Sequence, residues 1–307
     1  MASETVLRSS GVYTTILGAL NQFQAFTDLK YKSMFETTLN NKYGILTGYN
    51  NGNPPELPAL RYFGIGTQGY QNIDNKQSAL PFPGDGRMMD LYRPLPIRCI
   101  PLQEEKNILT LEERKQYRLR TVHTYNGIDY ACYYLKLIDF SDEISIVKKD
   151  ADGKETEYDL VPDSWLSPIP PDINQLGGNI NANLNRIIVR ASGTCTVKHE
   201  EIMEAVKVIY NSELDYARIS EIGYYTGCEV PVAYTPGGTD SDQLPIGENT
   251  VLTATQTEVP EAFFVQLAKG HCFRGSELFT EGSYITPKVT LEADICINGN
   301  DVVVSNN

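Results

Sequence analysis

At 307 residues, with 41% hydrophobic and 21% charged positions, the chain is long enough for a sizeable core and too apolar for a disordered polymer. Its net charge of −13 argues against a nucleic-acid backbone or an anionic membrane as partner, because both call for a basic face. Nineteen tyrosines against one tryptophan, with 24 glycines and 17 prolines, favour many short strands joined by turns.

The first clear pattern is helical. Val12, Ile16, Leu20 and Phe23, then Tyr31, Met34, Phe35 and Leu39, recur at three or four residues between positions 10 and 40. Ser9 or Ser10 can cap the start, and Gly44 follows the end. The N-terminus has an early Glu4 and no unbroken apolar run, and no stretch approaches the roughly 20 apolar residues of a membrane span. The expectation is a protein made and used in aqueous solution.

Residues 48–60, "GYNNGNPPELPAL", read as a turn-rich connector, and "ALRYF" as a strand. Residues 76–102 carry five prolines and read as an extended arm ordered by lying across something else. In "LTLEERKQYRLR", Thr110 and Glu113 have capping-box spacing, so a short helix is predicted. A hairpin follows around Asn126-Gly127, and a second around Asp152-Gly153.

After the proline-rich link "WLSPIPPDINQL", the segment "RIIVRASGTCTV" alternates as a strand. "KHEEIMEAVKVIY" reads as an amphipathic helix with Ile202, Val206 and Ile209 on one side. "YARISEIGYYTGC", "EAFFVQLAKGHCF" and "ITPKVTLEADICI" read as strands, and "YTPGGTDSDQLPIGENT" as a long acidic loop. The fold class expected is mostly β (α+β): antiparallel, sandwich-like layers with an N-terminal helix and short connecting helices. Three regions are expected, 1–60, 61–165 and 166–307, with the last two able to form one continuous domain.

The motifs that could carry chemistry favour bland readings. Gly64, Gly66 and Gly69 have the spacing of a dinucleotide phosphate loop. The following "YQNIDNKQSALPFPGDG" has no helical period, so no helix N-terminus can face a phosphate, and the glycines read as a turn. His123, His199 and His271 lack paired metal-ligand spacing, and the six cysteines are singly spaced. Several cysteines lie in apolar runs and read as small buried side chains in a reducing compartment. "DADGKE" at 150–155 lacks the later oxygen ligands of a calcium loop and reads as a hairpin turn. "GGTDSD" reads as a solvated acid loop, and Asp85 with Arg87 as a structural ion pair. No catalytic, cofactor-binding or metal-ligating residue is expected, and no cofactor.

What remains favours interaction over chemistry. Extended, proline-rich, tyrosine-bearing chain suits subunit contacts, where an apolar ring is covered and its hydroxyl reaches an edge. The candidate interface residues are Val12, Ile16, Leu20 and Phe23 of the N-terminal stripe, Phe82, Met88, Met89 and Tyr92 of the arm, and Trp165.

The order "RIIVRASGTCTVKHEEIMEA", "YARISEIGYYTGCEVP", "GSELFTEGSYITPKVTLEADICI" resembles the C-terminal half of a baseplate wedge protein of contractile-tailed, T-even-type bacteriophages. "ISEIGYYTG" is like the strand, Glu-Ile-Gly, strand phrase of tail and baseplate subunits, and "LRYFGIG" after a helix is similar in order. The resemblance spans residues 10–70 and 110–297 as a pattern of elements, and the arm at 76–102 has no counterpart. It implies a β-rich, non-enzymatic subunit of the virion, assembled in the host cytoplasm, present in several copies and packed against other virion proteins. A neck or collar protein of the same particle is the nearest alternative. A β-rich enzyme, or a carbohydrate- or receptor-binding module using Trp165, is the alternative of another class.

Overall fold

The computed structural model describes residues 13–14, 58–67, 70–73, 76–79, 90–149, 152–157, 186–212, 219–272, 284–285 and 288–296. Of the predicted N-terminal helix only Tyr13–Thr14 are described, and they form a short strand paired with Gly270 and Lys269 rather than a helical turn; the rest of that span lies outside the described residues, as do Gly69, Asp85 and Arg87. In chain order the strands begin with β1 (Tyr13–Thr14), β2 (Ala59–Gly66), β3 (Tyr70–Ile73), β4 (Lys76–Ala79), β5 (Pro94–Leu95) and β6 (Arg98–Pro101). Two single-turn helices follow, α1 (Glu105–Ile108) and α2 (Leu111–Arg114), then β7 (Tyr117–Tyr125), β8 (Ile128–Leu137), β9 (Asp139–Lys149) and β10 (Glu155–Glu157). The remainder is β11 (Arg186–Thr194), β12 (Val197–Lys198), α3 (His199–Ile209), β13 (Glu221–Tyr234), β14 (Thr257–Cys272), β15 (Tyr284–Ile285) and β16 (Lys288–Cys296).

Every strand pair among the described residues is antiparallel, and the fold is mostly β with short connecting helices, as the sequence leads one to expect. The elements divide between two compact units. The larger holds an eight-stranded sheet in the order β1-β14-β13-β2-β8-β6, with β5 added on β2 and β7 on β8. The smaller holds the four-stranded sheet β10-β9-β11-β16.

The local signals produce the local geometry. Asn126 and Gly127 both adopt positive φ, 52° and 78°, which lets the β7–β8 hairpin turn with the twist of its strands. Gly153, at φ 81°, lies between the antiparallel strands β9 and β10 of the smaller unit, where the hairpin around Asp152-Gly153 is expected. Thr110 caps α2 by accepting from the Glu113 amide at 3.3 Å, and the Glu113 carboxylate accepts from the Thr110 amide at 3.0 Å. Ile202 and Val206 are buried one turn apart on α3, while Ile209 is half-buried.

The core of the large sheet follows from the two-residue period of a strand. Cys228, Val230, Val232 and Tyr234 alternate along β13 and pack with Val259 and Phe263 of β14. β13 is buried along nearly its whole length, so its other face is covered as well. The sheet curls until β7 comes against β14.

One expectation is overturned. Gly64 and Gly66 of "RYFGIGTQGY" do not make a turn, because they lie inside β2, paired with Gly223 and Glu221 of β13. What requires glycine is close approach. A Cβ on Gly66 would lie 2.5 Å from the Glu221 carboxylate and 3.0 Å from the Arg93 carbonyl. One on Gly64 would meet Leu135, the Tyr134 carbonyl and the Tyr225 ring at 3.1–3.3 Å. Both partners of β2 along this stretch are antiparallel, and the glycines open no helix.

Candidate functional site

The feature that stands out chemically is a set of charges inside the larger unit. Burying a charge is costly unless an opposite charge and hydrogen bonds answer it. Arg114 ends α2, and Arg118 and Arg120 follow two residues apart on β7; all three are 5% exposed or less. Each meets a carboxylate from a different element.

Arg120 grips Glu105 of α1 with two parallel bonds, Nε to Oε1 at 2.9 Å and Nη2 to Oε2 at 3.0 Å. This is the fork geometry in which guanidinium and carboxylate match best. The same carboxylate accepts from the Tyr133 hydroxyl at 2.5 Å and from the Gly237 amide at 2.6 Å. Burial would raise the Glu105 carboxyl, but the Arg120 bonds and charge, with Tyr133 and Gly237, outweigh it and hold the group below the usual carboxylate range.

Arg114 donates from Nη2 to Glu261 of β14 at 2.7 Å and from Nη1 to the Tyr117 carbonyl at 2.9 Å. Its guanidinium carbon lies 5.0 Å from the Tyr133 ring centre and 4.9 Å from that of Tyr234, within cation–π range of both. The second Glu261 oxygen accepts from the Leu119 amide at 2.7 Å. Leu119 is fully buried at φ 55°, a left-handed conformation unfavourable for a leucine, and it is skipped in the β7–β8 pairing. Glu261 therefore ties β7 to β14 where the curled sheet meets itself.

Arg118 pairs with Glu229 of β13 at 2.9 Å, and Tyr62 of β2 donates to the same oxygen at 3.1 Å. A second cluster sits on α3. Glu201 accepts from Lys136 of β8 at 3.0 Å, from the Tyr117 hydroxyl, and from the Lys198 amide at 2.7 Å. Glu204, one turn on, takes both arms of Arg98 from β6 at 2.9 and 3.1 Å. Burial raises the Glu204 carboxyl above its ordinary value against the pull of Arg98, with the charge of Glu201 adding to the rise.

The tyrosines complete the chemistry. Burial raises the Tyr62, Tyr117, Tyr133 and Tyr234 hydroxyls, with nearby carboxylates adding to the rise. They stay protonated at neutral pH, and those of Tyr62, Tyr117 and Tyr133 donate to carboxylates. The guanidinium groups of Arg114 and Arg120 are held charged: burial opposes this, while Glu261, Glu105 and the tyrosines favour it. The arrangement answers each of the buried arginines with a carboxylate from another element.

Of the interface residues expected from the sequence, Tyr92 alone is described. It is 44% exposed, and its amide donates to the Glu221 carboxylate at 3.0 Å. Val12, Ile16, Leu20, Phe23, Phe82, Met88, Met89 and Trp165 lie outside the described residues. His123 is on β7, edge-on to the Tyr134 ring, and His199 opens α3. Cys99, Cys132, Cys195 and Cys228 are buried thiols. The acidic loop is also more than a solvated one, since Gly237, Gly238 and Asp240 bond to the Glu105–Arg120 pair and to β7.

Sequence reasoning missed the ionic network. Its signal is a charge set inside an apolar strand pattern: Arg118 and Arg120 in "YRLRTV", Lys136 in "CYYLKLI", Glu229 in "GCEVPVAY" and Glu261 in "VPEAFFV". A charge there either marks a solvated face or has a buried partner, and only the fold distinguishes the two.

The fold and site define a mostly antiparallel β protein braced by internal ion pairs. The chain belongs to the family of unknown function DUF7208, which matches residues 1–243. No curated protein and no solved structure matches it. The matched span includes Glu105, the three arginines, Glu201, Glu204 and Glu229, and Glu261 lies beyond it.

Proposed function

We propose that the chain is a structural subunit, working through surfaces shared with other chains rather than by transforming a ligand, and that its setting is the tail of a contractile bacteriophage, as a baseplate wedge component. The observation that carries the structural reading is the ionic bracing. Arg114, Arg118 and Arg120 leave one short segment and reach carboxylates on β14, β13 and α1. Such cross-links hold elements in fixed register, which suits a part that transmits force and has no substrate to admit. The net charge of −13 favours protein neighbours over nucleic acid. The phage setting rests on the strand-order resemblance of the C-terminal half.

The experiment is mass spectrometry of purified virions from a phage that encodes this chain, with labelled-antibody electron microscopy to locate it. Signal at the distal end of the tail is the expected result. Signal at the head–tail junction would assign it to the neck, and absence from the particle would defeat the proposal.

A further inference from the structure

The outer edge of β7 poses a problem that the rest of the fold does not solve. β7 pairs along its length with β8, and among the described residues no other strand pairs with it. An open edge is a template for another strand, and proteins guard such edges with charges, prolines or bulges. The segment Thr121–Tyr125, "TVHTY", has no lysine, arginine, carboxylate or proline, and consists of β-branched and aromatic residues. By sequence it is an unguarded edge.

The guard comes from the loop between β13 and β14. Asp240 places Oδ2 3.0 Å from the Val122 amide and 3.4 Å from the Thr121 hydroxyl, occupying the position a neighbouring strand's carbonyl would take. The loop is anchored beside it: Arg120 donates from Nη2 to the Gly238 carbonyl at 2.6 Å, and the Gly237 amide donates to Glu105. Thr239 and Asp242 close a capping box around the turn that carries Asp240. By strand alternation the Thr124 amide points out along the same edge as that of Val122. The carboxylate thus sits on an edge that carries no other strand among the described residues.

We propose that Asp240 is an edge plug: its carboxylate, held by the Glu105–Arg120 anchor, closes β7 to strand addition, and removing it lets Thr121–Tyr125 pair antiparallel with the same edge of a second copy of this chain. The second copy is the occupant because the segment is uncharged, β-prone and self-complementary by two-fold symmetry. The inference is independent of the phage setting.

The test compares wild type, Asp240→Ala, Asp240→Asn and the double variant Asp240→Ala/Thr124→Lys. In Asp240→Ala at low concentration, exchange of the Val122 amide should rise roughly tenfold or more, the size expected for losing a hydrogen bond to a charged group. At high micromolar concentration the sedimentation mass should double relative to wild type, and the Val122 amide should regain protection. Thr124→Lys places a like charge on each edge and should return the mass to the wild-type value. Asp240→Asn keeps an oxygen acceptor and should stay at the wild-type mass, which controls for damage to the loop. Unchanged Val122 exchange in Asp240→Ala overturns the proposal. So does faster exchange with no gain in mass, or association that Thr124→Lys leaves intact.

Discussion

Two arginine–glutamate forks in the larger unit use the same chemistry and come out opposite. Arg120 and Glu105 form one, Arg98 and Glu204 the other, each with two bonds near 3 Å. The Glu105 side chain is fully buried, yet its carboxyl titrates below the usual range; Glu204 is a third exposed, yet its carboxyl titrates above. Burial pushes both carboxyls upward, so depth alone does not set the sign. Glu105 also accepts from Tyr133 and Gly237, so its charged form is well solvated by the protein. Glu204 relies chiefly on Arg98 and has Glu201 one turn away. A buried charge is made comfortable by the number of donors aimed at it.

The largest expected effect comes from breaking the deeper fork. Arg120→Met leaves the Glu105 carboxylate buried with its strongest partner gone, and the loss should be about 3–5 kcal/mol of unfolding free energy. Urea denaturation measures it. The double variant Arg120→Met/Glu105→Leu removes both charges and should lose less than the sum of the single losses, because no unanswered charge remains. Arg98→Met breaks the shallower fork. Water reaches Glu204, so the loss should be about 1 kcal/mol. Equal losses at the two sites would overturn the comparison.

Next in size is the tie between β7 and β14. Glu261→Ala strips Arg114 of its carboxylate and the buried Leu119 amide of its acceptor, and should cost about 3 kcal/mol. The loss should be accompanied by faster exchange of amides along β7.

The two forks also make opposite predictions for pH. Glu105 has a folded value below the unfolded one, near 4.5, so between the two the unfolded chain binds more protons. Its stabilisation is present above the unfolded value and is lost as pH falls through the folded value. Glu204 has a raised folded value, so in the window above about 4.5 the folded chain binds more protons and stability falls as pH rises. Glu204→Gln should therefore make the stability curve rise more steeply with pH in that window, and Glu105→Gln should flatten it below. Thermal melts at closely spaced pH values separate the two.

What the sequence discloses depends on the range of the cause. The Asn126-Gly127 turn and the Thr110–Glu113 box are legible because their partners are neighbours in the chain. The strand role of Gly64 and Gly66 is not legible locally, because what demands glycine is the Glu221 carboxylate and the Tyr225 ring on another strand. Arg114 and Glu261 are 147 residues apart, and Arg118 and Glu229 are 111 apart. No local period links such residues. The partner of a charge in an apolar strand is chosen by sheet order, which brings β7, β13 and β14 together only once the sheet has curled.

The smallest expected effect tests whether depth matters at all once local geometry is good. The Thr110–Glu113 box lies at the surface of the same α2 that carries Arg114, and the Thr110 amide and hydroxyl hold the Glu113 carboxyl below its usual range. Thr110→Ala should cost about 1 kcal/mol, the ordinary worth of a helix cap, although α2 is only a single turn. A much larger loss, approaching that of Glu261→Ala, would mean that the cap positions Arg114, so that surface and interior act as one unit. Combining Thr110→Ala with Glu261→Ala decides between these outcomes. Additive losses keep the cap local, whereas a double loss no larger than that of Glu261→Ala alone would show that the cap acts through the buried arginine.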